Sequence, residues 1–530
     1  MEPLFPATVA RADTAFGLST SRTALVALAA FALIGGCAST PDTEPAPTTT
    51  NAASPIELAP QSGSIIPAAP EATATAAPQR FIVAKGKRYQ PPMTPAQTRS
   101  VLNSLTARYD RNENLCAGLF TGNNRVAVPK VNKPPVGVTY ADPVFRTRVT
   151  RISNAGSGSV IKPMYSTIQA WNADESLMIL YHSGSRGPGH HLYNGQTYEY
   201  IRRLDISPSD IEQVFWSHTE PDSLYYINRG FINNNKLLKL NVRSSTVTPV
   251  ADLSPMCGRG VVPTAGNDVQ MPSYDDDLFG FRCRKNGSGQ MYMHSYRVST
   301  GEITSVPIGE GTPWGAWVAP NPAPSGQALR MNDKVIATNL MTGLTQLDLG
   351  KHNEHSSLGR THNGADAYYA TAFDPAPGAC GDHPDKGVGH LIEHNMTNGK
   401  CRPIITESMG YPYTNSGTHV SAVNHLRPGW VALSSIGYPE EFAAFESGQP
   451  ASALFSEIYL ASTDPANPTV CRLAHHRTYG KNAKRADYVA YLGEPHVTIS
   501  PSGTRILFGS DWYDSGSVDT YVIELPAFRR

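Results

Sequence analysis

Charge is scarce in this chain of 530 residues: 17% of its side chains are Asp, Glu, Lys or Arg, and 44 basic residues balance 44 acidic ones. So thin a field cannot hold a polyanion by counterion release, which excludes a general nucleic-acid or anionic-membrane role. The apolar run at residues 24–34 (ALVALAAFALI) is too short to span a bilayer. There is no CxxC pair, so neither a zinc ribbon nor a thioredoxin-type redox site is supported, and no Gly-x-Ser-x-Gly elbow, so a hydrolase triad of that kind is excluded. Nothing in the sequence calls for a nucleotide or redox cofactor. What is abundant is 45 Gly, 43 Pro and 24 Tyr within 40% hydrophobic content. That content suffices for a core, and the Gly, Pro and Tyr point to many short strands joined by tight turns.

The run at 24–34 follows Arg22 and precedes Gly35, Gly36 and Cys37. This charged, apolar, small-residue order is that of a secretory signal. Its ending, Leu33-Ile34-Gly35-Gly36-Cys37, resembles the lipobox of bacterial lipoproteins. The resemblance implies cleavage before Cys37, lipidation of its thiol and, with Ala38 next, a lipid anchor in the outer membrane of a bacterial envelope. An ordinary signal peptide with an incidental cysteine is the alternative. Residues 38–79 are mostly Ala, Pro, Thr and Ser without Lys or Arg, the composition of a disordered tether. The expected division is 1–36 signal peptide, 37–79 lipidated Cys and tether, 80–143 packed segment with a short helix at 95–108, and 144–530 the main domain. Export leaves six further cysteines in an oxidising compartment. Proximity in sequence suggests Cys257 with Cys283 and Cys380 with Cys401, leaving Cys116 for Cys471, with other connectivities open.

A repeat runs through the main domain. Residues 494–511 (EPHVTISPSGTRILFGSD), followed by 520–525 (TYVIEL), read as strand, turn, strand, loop, strand. This resembles the PD40 or TolB-type propeller repeat, with Ser-Pro-Ser-Gly in place of Ser-Pro-Asp-Gly. Six weaker copies stand at 167–180, 213–226, 268–281, 314–329, 355–369 and 419–433, at a mean spacing of about 55 residues, enough for four strands and their loops. The expected fold is therefore all-β: a seven-bladed β-propeller of four-stranded antiparallel blades, closed by an N-terminal strand at 144–152 (VFRTRVTRI) that completes the final blade. Two smaller β-domains are the alternative.

Each blade's first strand would line the channel, placing His355, His419 and His496 on one rim with Glu494 two residues before His496. Imidazoles and a carboxylate at one point can hold a divalent metal ion such as Mn, Ca or Zn. The bland alternative is that each His bonds only its neighbouring blade. The loops of the same rim offer His182, Arg186 and His190 in 182–191 (HSGSRGPGHH), Arg282, and Tyr411 as catalytic candidates, with Trp314, Trp317 and Trp512 as platforms for sugar rings.

Such a rim suits β-elimination of an acidic sugar chain. A cation neutralises the uronate carboxylate, a His or Tyr takes the acidified proton, and an acid protonates the leaving oxygen. Oligogalacturonate lyases, which the repeat resembles, are seven-bladed propellers whose metal is held by blade-five histidines and by a Gln and two His before the last turn. The resemblance places His355 and His496 in that set, with Glu494 at the other His position and Tyr491 at the Gln position. The family's basic blade-four residue has no counterpart, since residues 314–317 read WGAW. Ulvan lyases share the ring, and His182, His190 and Arg186 match their groups in type. The implied partner is an acidic polysaccharide or oligosaccharide. The competing class is a non-catalytic scaffold docking an envelope protein partner, and paired carboxylates such as Asp268 and Glu494 keep glycoside hydrolysis open.

Overall fold

The computed structural model describes residues 82–85 and most of 94–529, leaving out chiefly 258–271, 309–316, 319–326, 340–346, 349–352, 373–379, 381–388 and 481–491. Contacts divide the chain at residue 76, and every described residue belongs to the second unit. The expected signal peptide, Cys37 and tether therefore lie outside the described residues, as do Arg186 and Trp314.

Strands follow one another in antiparallel meanders. The first sheet is Val160–Lys162, Leu177–Ser183, Gly189–Asn194 and Tyr200–Arg203. The second runs from Val214–Trp216 to Thr246–Asp252. The third contains Leu278–Arg284, Met291–Arg297 and Glu302–Ile308, with Ile82–Lys85 added along its outer edge. The fifth spans Asn353–Arg360 to Cys401–Ile405. The sixth spans His419–Ser421 to Val470–His475, extended by Phe120–Thr121. The last joins Thr498–Ile499, Arg505–Ser510 and Asp519–Glu524 to the early strands Arg148–Arg151 and Thr139–Ala141. In strands such as Leu177–Ser183 and Trp430–Ser435 nearly every residue is buried, because neighbouring sheets cover both faces. Antiparallel blades packed side by side in this way are a β-propeller.

Six blades are seen where the repeat predicts seven. A fourth sheet within residues 317–348 pairs strands of two, five, five and two residues.

The repeat's turn forms as expected. Gly503 takes φ +75° and its N–H donates to Ser500 O at 2.8 Å. In the first sheet the corresponding residue is Glu175, held at φ +60°, a conformation uncommon for a side chain larger than Gly. Its carboxylate accepts from Ser502 N and from Arg505 Nη2, both at 2.6 Å, so the first turn is tied to the last. The helix of the N-terminal segment is Pro95–Thr106, started by Thr94 and Gln97 in a reciprocal capping box.

All three expected disulfides are present: Cys116–Cys471, Cys257–Cys283 and Cys380–Cys401. Cys116–Cys471 bridges a sequence separation of 355, so it removes much loop entropy from the unfolded chain. Replacing both residues by Ala is expected to lower unfolding free energy by about 5 kcal/mol, read as a shift in denaturant midpoint. An unshifted midpoint would mean that the N-terminal segment is held by its strands alone.

Candidate metal centre

Three histidines expected on one rim do meet. His355 and His419 stand in the innermost strands of the fifth and sixth sheets, and His496 just precedes that of the last. The rings of His355 and His419 stack with centroids 4.3 Å apart, and those of His419 and His496 lie 4.4 Å apart. Glu494 Oε2 is 3.7 Å from His419 Nε2. One donor atom each from His419, Glu494 and His496 lie within 4.8 Å of one another, and these side chains are 1%, 2% and 2% exposed. Strand alternation is not what turns Glu494 and His496 to the same side, however. The strand begins only at Thr498, and His496 has φ +42°, a left-handed turn.

Lys162, the last residue of the first sheet's opening strand, and Tyr165, three residues on, complete the cluster. Tyr165 packs its ring 5.2 Å from His496 and 5.6 Å from His419, and its Oη lies 2.8 Å from His355 Nδ1. Lys162 Nζ bonds His496 Nδ1. Burial pushes the Lys162 amine down to about 7, against the opposing pull of Glu212 and Glu494. With Nδ1 engaged by Lys162, Nε2 is the ring nitrogen of His496 that would face an ion. Glu494 Oε2 and His419 Nε2, 3.7 Å apart, are close enough for one ion to contact both. Two imidazoles and one carboxylate thus fit a divalent cation. His355 stands apart from the ligand set, its Nδ1 engaged by Tyr165. Cys257, Cys283 and His294 also sit together, but the two sulfurs are joined to each other and supply no thiolate.

The other expected residues fall elsewhere. His182 lies in the second strand of the first sheet, its Nε2 2.7 Å from Tyr193 Oη and its ring stacked on His191. His190 Nε2 donates to Ile211 O at 2.6 Å, which spends the ring on a backbone carbonyl. Trp512 is only 3% exposed, stacks on Tyr521 and donates to Val131 O, so it offers no face to a sugar, contrary to expectation. Tyr411 packs against the core of the fifth and sixth sheets, and burial raises its pKa. Arg282 and Trp317 are placed in strands, and their side chains lie outside the described residues, as do Tyr491 and Asp268 entirely.

Lys162 and Tyr165 are absent from the expected set because the first channel strand is read as starting at Thr167. It starts at Val160 and is interrupted after Lys162. The run Val160-Ile161-Lys162 before Pro163 carried that signal, since Pro ends pairing without ending the strand's path.

No protein-family model and no characterised relative matches the chain. Solved structures with a similar fold include an oligogalacturonate lyase in complex with manganese, at 14% identity and TM-score 0.49, covering 77% of this chain and 99% of that one. An oligogalacturonate lyase from Vibrio parahaemolyticus gives 13% identity and TM-score 0.49, covering 73% and 96%. TolB from Acinetobacter baumannii gives 11% identity and TM-score 0.31, covering 84% and 97%. At these scores no residue correspondence is drawn. The class defined by the chain's own fold and site is a β-propeller with a buried histidine–glutamate cluster in its channel.

Proposed function

We propose that the chain is a carbohydrate-acting propeller, and specifically a lyase that cleaves uronate-containing glycans by β-elimination where the three histidines meet. The observation that carries this reading is the junction of His419, Glu494 and His496 with the Tyr165–His355 pair. A divalent cation held by His419, Glu494 and His496 would draw charge from the uronate carboxylate and acidify the neighbouring C5–H. With N and O donors, that ion is zinc or manganese rather than calcium, which takes oxygen ligands.

Tyr165 and His355 then manage the proton. The phenol oxygen accepts the C5 proton as its own hydrogen passes to His355 Nδ1. The C–H electron pair forms the C4=C5 double bond and the C4–O bond to the leaving sugar breaks. The imidazolium returns its proton through Tyr165 to the departing oxygen. Half-buried His355 is the most open of the three rings and marks the side of approach. In the same proposal the fourth sheet is the seventh blade, the strand Arg148–Arg151 closes the ring, and Cys37 anchors the protein by lipid to the outer membrane.

The test is to incubate the protein with a panel of uronate polysaccharides and follow ultraviolet absorbance of the unsaturated product. Absorbance should rise on at least one, and both chelation and Tyr165→Phe should suppress it. No rise on any of them sinks the lyase reading. A second reading, a non-catalytic binding propeller pinned by its ion, draws on the near-complete closure of His419, Glu494 and His496. It predicts that metal removal lowers thermal stability while no product forms.

A further inference from the structure

An open cleft of about 700 Å³ lies between the first and last sheets, apart from the histidine–glutamate cluster. Its size falls within the range of small-molecule sites. One wall is a chain of rings from the first sheet. His182 and His191 stack with centroids 3.6 Å apart and planes 7° apart, and Tyr200 leans against Tyr193 and His191 at 5.6 and 5.8 Å. Tyr200 is nevertheless 55% exposed. A large ring supported from behind and bare in front is an unfilled contact surface, and Val136 on the opposite wall is 45% exposed beside it. That wall also brings the hydroxyls of Thr139 and Thr150, 2.7 Å apart, and Asn154.

The cleft carries little charge. Arg148 is the cation among its lining residues, and it already faces Glu524 at 3.7 Å. Glu199 takes the Thr197 hydroxyl at 3.0 Å. Burial lowers the pKa of both histidines, His182 to about 3, so the ring wall is uncharged at neutral pH.

We propose that this cleft binds a neutral oligosaccharide, with Tyr200 as the platform on which a sugar ring lies. A pyranose presents an apolar C–H face and a rim of hydroxyls, which match a bare tyrosine ring and a wall of hydroxyl and amide groups. An acidic sugar would meet no cation here that is not already facing a carboxylate. The proposal does not rest on the lyase reading, because none of the cleft's lining residues belongs to the cluster.

Calorimetric titration of the full chain with neutral oligosaccharides of glucose, mannose or xylose, in the presence of a chelator, tests it apart from any metal chemistry. At least one is expected to bind, Tyr200→Ala to weaken that binding about tenfold or more, and Tyr200→Trp to preserve it. Tyr200 is exposed, so equal melting temperatures for wild type and both variants establish that folding is unchanged. Absence of binding to all the neutral sugars overturns the proposal. So does binding that survives Tyr200→Ala, preference for uronate oligosaccharides, or occupation by an extended peptide along the edge strand Tyr200–Arg203 in place of a sugar.

Discussion

Glu494→Gln is expected to weaken binding of zinc or manganese by about 100-fold or more, since even outer partners of a metal site are worth 10- to 100-fold. The amide keeps the shape of the side chain and removes its charge. No other carboxylate joins the donor cluster among the described residues, so nothing replaces that charge. Calorimetry or equilibrium dialysis with the ion alone measures the effect without assuming any activity. His355→Gln is the informative contrast. His355 stacks on His419 but stands outside the donor set, with Nδ1 engaged by Tyr165, so its loss should leave metal affinity nearly unchanged and abolish turnover. Equal binding by wild type and Glu494→Gln would place the ion elsewhere or nowhere. If His355→Gln instead lost the ion, His355 would be a ligand and the proton relay would fall.

Much of this site could be read from the chain because a propeller repeats. Once the Ser-Pro-Ser-Gly turn of the last copy fixes where a channel strand ends, counting back sets His496, His419 and His355 at equivalent heights. Fold geometry then does what spacing cannot, bringing histidines 64 and 77 positions apart into ring contact. The pairing of the early strand with Asp519–Glu524 and the three disulfides were legible for related reasons, an orphan alternating segment at one end and an even number of cysteines beyond Cys37. What escaped was any feature set by irregular backbone. Pro163 hides the start of the first channel strand, and with it Lys162 and Tyr165. The left-handed His496 turns toward the cluster for a reason alternation does not supply. Aromatic residues misled for another reason: Trp512 sits in a loop by sequence, yet loops that run beneath the N-terminal segment are covered. The exposed ring is Tyr200, in an outer strand.

Lowering the pH from 6.5 toward 4 is expected to unfold the protein. His190, His390 and His476 are buried with nitrogens bonded to the backbone carbonyls of Ile211, Pro412 and Ser435. Burial pushes each from its ordinary value of 6.5 down to about 4, the carbonyl bonds opposing but not cancelling it. A histidine depressed in the folded state is protonated first in the unfolded one. Stability is therefore intact above 6.5, declines as pH falls below it, and goes on declining until the folded form titrates near 4. Each histidine contributes about 3 kcal/mol across that window. Glu457, raised by burial to about 7, and Asp275, raised to about 6, titrate in the opposite sense and offset part of that loss. His425 and His475 are buried and depressed as well, and act in the same direction as the three histidines. His476 shows why protonation is disfavoured: its Nδ1 accepts from Thr478 N while Nε2 donates to Ser435 O, so a second ring proton would face a donor. Circular dichroism followed against pH should show a cooperative loss between about pH 6 and 4. His190→Gln keeps a donor for the Ile211 carbonyl without a titratable ring, and should move the midpoint to lower pH. A midpoint below pH 4, or one unmoved by that variant, would show that the buried imidazoles do not set the acid limit.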